Sequence, residues 1–212
     1  LVGRDPSDLV IFTMMTVITD TTAQRAQDKY RDFLGHVSEE GALTLMSGWT
    51  GIDFGAMRPE EVVRMGDGTD AMTSALEAFT TADPDREWTV AEIARHAAIG
   101  GRGPVIIGSA EQVAEEMRGW VEEAGVDGFN LAYALTPGTF QDIADLVVPE
   151  LQERSLFKHD YAPGSFREKL FGRGDRGGAT AADWADATGT IDYEILSAIR
   201  GRTVRRYIGG EA

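Results

Sequence analysis

The sequence predicts an α/β protein of parallel strands joined by helices, and three observations carry that prediction. The apolar runs at 9–18 and 105–107 read as buried strands. Each leads at once into residues able to cap a helix, Asp20, Thr21 and Thr22 after the first and Ser109 after the second. A further apolar run, 129–135, follows the second helix. Consecutive strands joined by a helix run parallel, with a right-handed crossover.

Taken in order, the first strand passes into a helix at 23–34. From 35 to 69 the pattern loosens: Ser47, Gly48, Trp49, Thr50, Gly51, Ile52, Asp53, Phe54 and Gly55 mix glycine, hydroxyls and aromatics without a sustained period. Such an insertion reads either as a lid or binding loop, or as a surface loop with Trp49 and Phe54 tucked onto the core. Residues 73–79 read as helical and Asp83, Pro84 and Asp85 as a turn. Thr89 and Glu92 form a capping box that opens a helix to about Ala98. The glycine-rich loop at 100–103 matches neither a dinucleotide fingerprint nor a phosphate loop.

The strand at 105–107 stops at Gly108 and suits burial on both faces. Ser109 can cap the amide of Gln112 while the Gln112 side chain reaches back, so a helix starts at Ala110. Val113, Met117, Val121 and Ala124 mark its buried face, and Gly125 supplies the stop. The third run closes at Thr136, Pro137 and Gly138. Thr139 is placed to cap a helix that meets Pro149, which kinks it or opens a new one. Residues 157–172 read as a packed extension with a short helix at about Phe166–Phe171.

Composition bounds the function. The 212 residues, 42% hydrophobic, suffice for one sizeable core. A net charge of -15 disfavours nucleic acid and anionic membranes as partners. The absence of Cys excludes disulfides, thiolate catalysis and cysteine metal sites. No apolar run reaches transmembrane length and no signal peptide is visible, so the default location is the cytoplasm. Residues 173–212 hold six Arg and six acids, whereas the first 172 carry the whole negative charge. That shift and the glycine-rich stretch at 172–178 divide the chain into a unit at 1–172 and a linker and tail at 173–212, where Thr180 and Thr190 could cap short helices.

No catalytic residue can be assigned from motifs. His36, His96 and His159 lack metal-ligand spacing, so no metal site is predicted, and no nucleophile motif occurs. Position supplies the candidates instead. If the strand and helix units belong to a barrel, function sits where the strands end, at Thr16 to Thr19, at Gly108 and Ser109, and at Tyr133 to Thr136. Gly108 and Ser109 also place amides at a helix N-terminus, which either favours an anion or polar ligand edge or is plain capping. With Trp49 from the insertion and His96 from the helix just before the 100–103 loop, the candidates for a cofactor or substrate pocket are Thr16, Trp49, His96, Gly108, Ser109, Tyr133 and Thr136.

Four ordered segments carry a resemblance: Gly-Pro-Val-Ile-Ile-Gly-Ser-Ala-Glu-Gln-Val-Ala at 103–114, Asp-Gly-Phe-Asn-Leu at 127–131, Leu-Val-Val-Pro-Glu-Leu-Gln at 146–152 and Phe-Arg-Glu-Lys-Leu at 166–170. Together they resemble the C-terminal half of the bacterial-luciferase-like flavin monooxygenases, in the branch of nitrilotriacetate monooxygenase component A and dibenzothiophene sulfone monooxygenase. The likeness covers about 1–170, and the 35–69 insertion falls where that branch carries extra segments near the active-site mouth. It implies the C-terminal portion of a (β/α)₈ TIM-type barrel. It also implies reduced FMN supplied by an NAD(P)H:flavin reductase, and a C4a-peroxyflavin that oxygenates a small organic substrate, with C–N or C–S cleavage in some relatives. A homo-oligomer is compatible with it. The chain departs from that family in lacking the N-terminal barrel half and the small-residue phosphate-binding segment expected upstream of Leu1. About three strands of the barrel would then be present here, so an inactive truncated or chimeric fragment is the alternative. The 146–170 extension disfavours a deazaflavin-dependent relative. Separately, 170–207 resembles the extreme C-terminus of alanine racemase, through Tyr193 and its surroundings.

Overall fold

The computed structural model describes residues 10–64, 73–77, 79–80, 86–101 and 103–171. The expected turn at 83–85 and the boundary and tail from 172 onward lie outside the described residues.

Strand β1 (Phe12–Asp20) is the centre of a three-stranded parallel sheet in the order β2-β1-β3, where β2 is Val105–Ser109 and β3 is Gly128–Ala132. Met15 to Thr19 are all buried, so both faces of β1 are covered. The strand ends two residues later than the apolar run suggests. Pairing with β2 carries it on, through Thr19 opposite Gly108 and Asp20 opposite Ser109, and the Thr19 hydroxyl donates to the Gly108 carbonyl at 2.9 Å. Strand β2 is an edge strand whose Val105, Ile106 and Ile107 are half-buried, which corrects the expectation of burial on both faces. Strand β3 is shorter than the 129–135 run, because the chain turns away after Ala132. Neighbouring strands of a closed barrel follow one another in sequence. Here the sheet shares the parallel direction of a barrel segment but sets β1 between β2 and β3.

Helix α1 (Ala23–Leu34) starts where predicted, with the Thr22 hydroxyl accepting from the Arg25 amide at 3.2 Å. Residues 35–64 of the expected insertion are more ordered than an irregular loop. They hold α2 (Glu39–Thr50), capped by Ser38, and a 3-10 turn at Phe54–Ala56. Gly41, Gly48, Thr44 and Thr50 lower the intrinsic helix propensity of α2, and burial of Ala42, Met46 and Thr50 overrides it. Helices α3 (Thr73–Glu77) and α4 (Val90–Gly100) complete this unit, α4 opening with the Thr89–Glu92 capping box. Met46, Phe54, Trp88 and Ile93 form its core.

Helix α5 (Ala110–Ala124) buries Val113, Ala114, Met117, Trp120 and Ala124. Val121 is exposed, which corrects its assignment to the buried face: the stripe steps 113, 117, 120, 124, so Trp120 takes the inward position. The indole N–H of Trp120 is satisfied by Glu116 at 3.0 Å. Helix α6 (Gly138–Asp142) passes through a π turn (Ile143–Val147) into α7 (Val148–Glu153), and Pro149 lies in the first turn of α7. Thr139 does not cap α6. Its hydroxyl accepts from the amides of Ala134 and Leu135, at 3.2 and 3.0 Å, and so closes the preceding loop. Met15 and Val17 pack with α5 and with Ile143, Val147 and Leu151 in the sheet core. Helix α8 (Phe166–Phe171) follows an exposed segment.

Candidate functional site

The carboxyl end of β1 is flanked differently on its two sides. Toward β2, pairing runs to Asp20; toward β3, it stops at Thr16 opposite Ala132. Helix α6 packs against β1. Asp20 gathers a charged cluster there: its carboxylate accepts from the Thr21 amide at 2.7 Å and from Arg25 Nε at 2.7 Å, and it pairs with Lys29 at 3.2 Å. Lys29 also donates to the Thr19 carbonyl at 2.8 Å and to Asp142 at 2.9 Å. The Arg25 hydrogen bond, followed by the Thr21 amide, holds the Asp20 carboxyl far below the ordinary range. Burial works against the Lys29 ammonium, but its bonds to Asp142 and Asp20 more than offset this and raise its pKa.

The structure sets Gly108, Ser109, Tyr133 and Thr136 at or just beyond the strand ends and the other candidates elsewhere. Ser109 completes the expected capping box: its hydroxyl accepts from the Gln112 amide at 3.4 Å and its amide donates to Gln112 Oε1 at 3.1 Å. A Cβ at position 108 would stand 2.9 Å from Gln112 Oε1, so Gly108 leaves room for the box. Tyr133 and Thr136 are exposed, and the Tyr133 ring lies 5.9 Å from that of Phe140. Thr16 is not at a strand end; it is buried in mid-strand because β1 runs on to Asp20. Its hydroxyl has no hydrogen-bond partner among the described residues.

Trp49 and His96 belong to the helical core. Trp49 sits on α2, partly buried, with its ring edge 3.8 Å from where a Cβ on Gly101 would be. His96 meets Phe79 and Trp88 edge-on, at 5.6 and 5.5 Å, and the Arg86 guanidinium covers Trp88 at 3.7 Å. Burial, and then the Arg86 charge, push the imidazole down to about 4. Asp20, Lys29, Phe140 and Asp142 are the residues that sequence reasoning missed. Asp20 carried a signal, an acid closing an apolar run, whereas the Lys29–Asp142 pair spans 113 residues and has none.

A flavin mononucleotide needs an apolar slot for its ring system and cations or free amides for its phosphate. Tyr133, Leu135 and Phe140 supply exposed apolar surface at the strand ends. The phosphate requirement is not met there: Gln112 occupies the Ser109 amide, and Asp20 and Asp142 engage Arg25 and Lys29. The described residues thus fit one part of the flavin and not its phosphate.

No family model matches the chain. The dimethyl-sulfide monooxygenase of Hyphomicrobium sulfonivorans is 43% identical over 173 residues, 82% of this chain and 36% of that protein. The crystal structure of DmoA from Hyphomicrobium sulfonivorans matches with a TM-score of 0.72 at 38% identity, covering 91% of this chain and 43% of that one. A riboflavin lyase (RcaE), solved with modified FMN and its substrate riboflavin, matches with a TM-score of 0.69 at 25% identity, covering 81% and 37%. A separate match, 62% identity over 39 residues, 18% of this chain and 10% of that protein, links the chain to the alanine racemase of Frankia casuarinae. The chain spans about a third of the length of the curated relatives that it matches over most of its residues. Over some four fifths of its own length, the chain is similar to the luciferase-like flavin monooxygenases.

Proposed function

We propose that the chain forms the C-terminal part of an FMN-dependent, two-component monooxygenase. Reduced FMN arrives from an NAD(P)H:flavin reductase, and a small organic molecule is oxygenated at the strand ends. The observation that carries this reading is the 43% identity to a dimethyl-sulfide monooxygenase over 173 residues. When bound, the flavin supplies the oxygen-activating chemistry. This chain's own contribution is exposed apolar surface from Tyr133, Leu135 and Phe140, against which a flavin ring or an apolar substrate would pack, on a strand end braced by Asp20 and Lys29. The same reading keeps Trp49 and His96 in a supporting helical unit, places the protein in the cytoplasm and allows a homo-oligomer.

A second reading is favoured by two observations, the 36% coverage of that relative and the lack of phosphate contacts at the strand ends among the described residues. In it, the 212 residues are a truncated or chimeric fragment without activity alone, or complete another subunit. Titration of the purified chain with FMN, followed by flavin fluorescence, separates the two. Stoichiometric quenching, together with substrate-dependent oxygen uptake when a reductase and NADH are added, supports the first reading. Absence of both assigns the chain to the second.

A further inference from the structure

Beyond Thr16, no strand among the described residues pairs with β1 on the side opposite β2; α6, which ends the segment from Tyr133 to Asp142, packs against β1. This segment is internally closed. The Thr139 hydroxyl binds the amides of Ala134 and Leu135, and the Thr139 amide donates to the Leu135 carbonyl at 2.8 Å. Tyr133 and Phe140 stand together on it, both exposed. A unit closed on itself moves as a body unless something anchors it to the sheet. Lys29 is placed to do so. Its ammonium holds the Thr19 carbonyl and Asp20 at the end of β1 and, on the other side, Asp142 at the end of α6. Its side chain is 23% exposed, so water competes with these bonds less than at a surface pair.

We infer that Lys29 is a positioning residue: it tethers the 133–142 segment to the carboxyl end of β1 and so fixes the exposed Tyr133–Phe140 pair. The function given to that aromatic pair rests on the monooxygenase reading, whereas the tether itself does not. Hydrogen exchange on the full chain tests it directly. In Lys29→Met, amides of 133–142 should exchange at least about tenfold faster while those of α2 and α4, which have a separate core, keep their rates. Lys29→Arg, which keeps the charge, should restore most of the protection. Asp142→Asn cuts the tether while sparing the Lys29–Asp20 pair, and should loosen the same segment even where Lys29→Met fails to fold. Unchanged exchange in 133–142 for Asp142→Asn, or loosening confined to α1, overturns the inference. FMN titration of the same variants is scored separately. If the wild-type chain binds no FMN, the monooxygenase reading of the isolated chain fails while the exchange data still decide the tether.

Discussion

The sheet core and the helical core are built by different means from the same kinds of residue. In the first, α5 lays Val113, Met117 and Trp120 against Met15 and Val17 of a central strand. In the second, α2, α3 and α4 close around Met46, Phe54, Trp88 and Ile93, with no strand of the sheet taking part. Strands and amphipathic helices announce themselves by period, so each element of the sheet core is readable by itself. Helix α2 has two glycines, Gly41 in its first turn and Gly48 in its last, and becomes a helix through its neighbours. The two cores also divide the candidate site residues, since only the sheet core carries strand ends.

If the division into two cores is physical, the largest effect should come from Trp120→Ala, which empties a position that is 1% exposed. We expect a loss of about 3–5 kcal/mol, measured by chemical denaturation. Hydrogen exchange should show α5 and the 143–153 helix losing protection before α4. Equal loss in both regions would mean a single cooperative unit and would break the comparison.

Acid should reverse the order. Folding holds His96 neutral, its pKa pushed down to about 4 from an ordinary 6.5, while the unfolded chain takes up a proton below that ordinary value. Stability is therefore lost as pH falls from 6.5 to 4 and levels off below, by about 3 kcal/mol, and the loss falls on the helical core. Denaturation midpoints across this range, compared between the wild type and His96→Gln, check it: the variant should lack this part of the slope. A slope unchanged in the variant would assign the acid sensitivity to other groups.

The smallest test uses the device that both regions share. Thr89→Ala and Ser109→Ala each remove a capping-box hydroxyl and should cost about 1 kcal/mol. Native-state exchange should place the first loss in α4 and the second in α5.

The capping boxes, the strand and helix alternation and the parallel direction were legible because each rests on residues close together in sequence. The end of β1 was not, since pairing with a strand some ninety residues on decides it, as the Thr19–Gly108 bond shows with its separation of 89. The same limit hid part of the candidate site. Ser109 and Gly108 could be named from a local motif, but Lys29 and Asp142 meet only in the fold. Thr16 and Trp49 were misplaced for opposite reasons. An apolar run does not show where its strand stops, and a glycine-rich stretch does not show that packing will wind it into a helix.

The central position of β1 has a consequence for how the chain is made. Both strands that pair with β1 come much later, and the bond from the Ile11 amide to Asp127 joins residues 116 apart. During synthesis β1 emerges with five consecutive buried positions well before either strand that it pairs with here. The α2–α4 unit, whose contacts are mutual, can close before β2 leaves the ribosome. Strand β1 is thus completed only when β3 arrives, and until then its buried positions are open to mispairing.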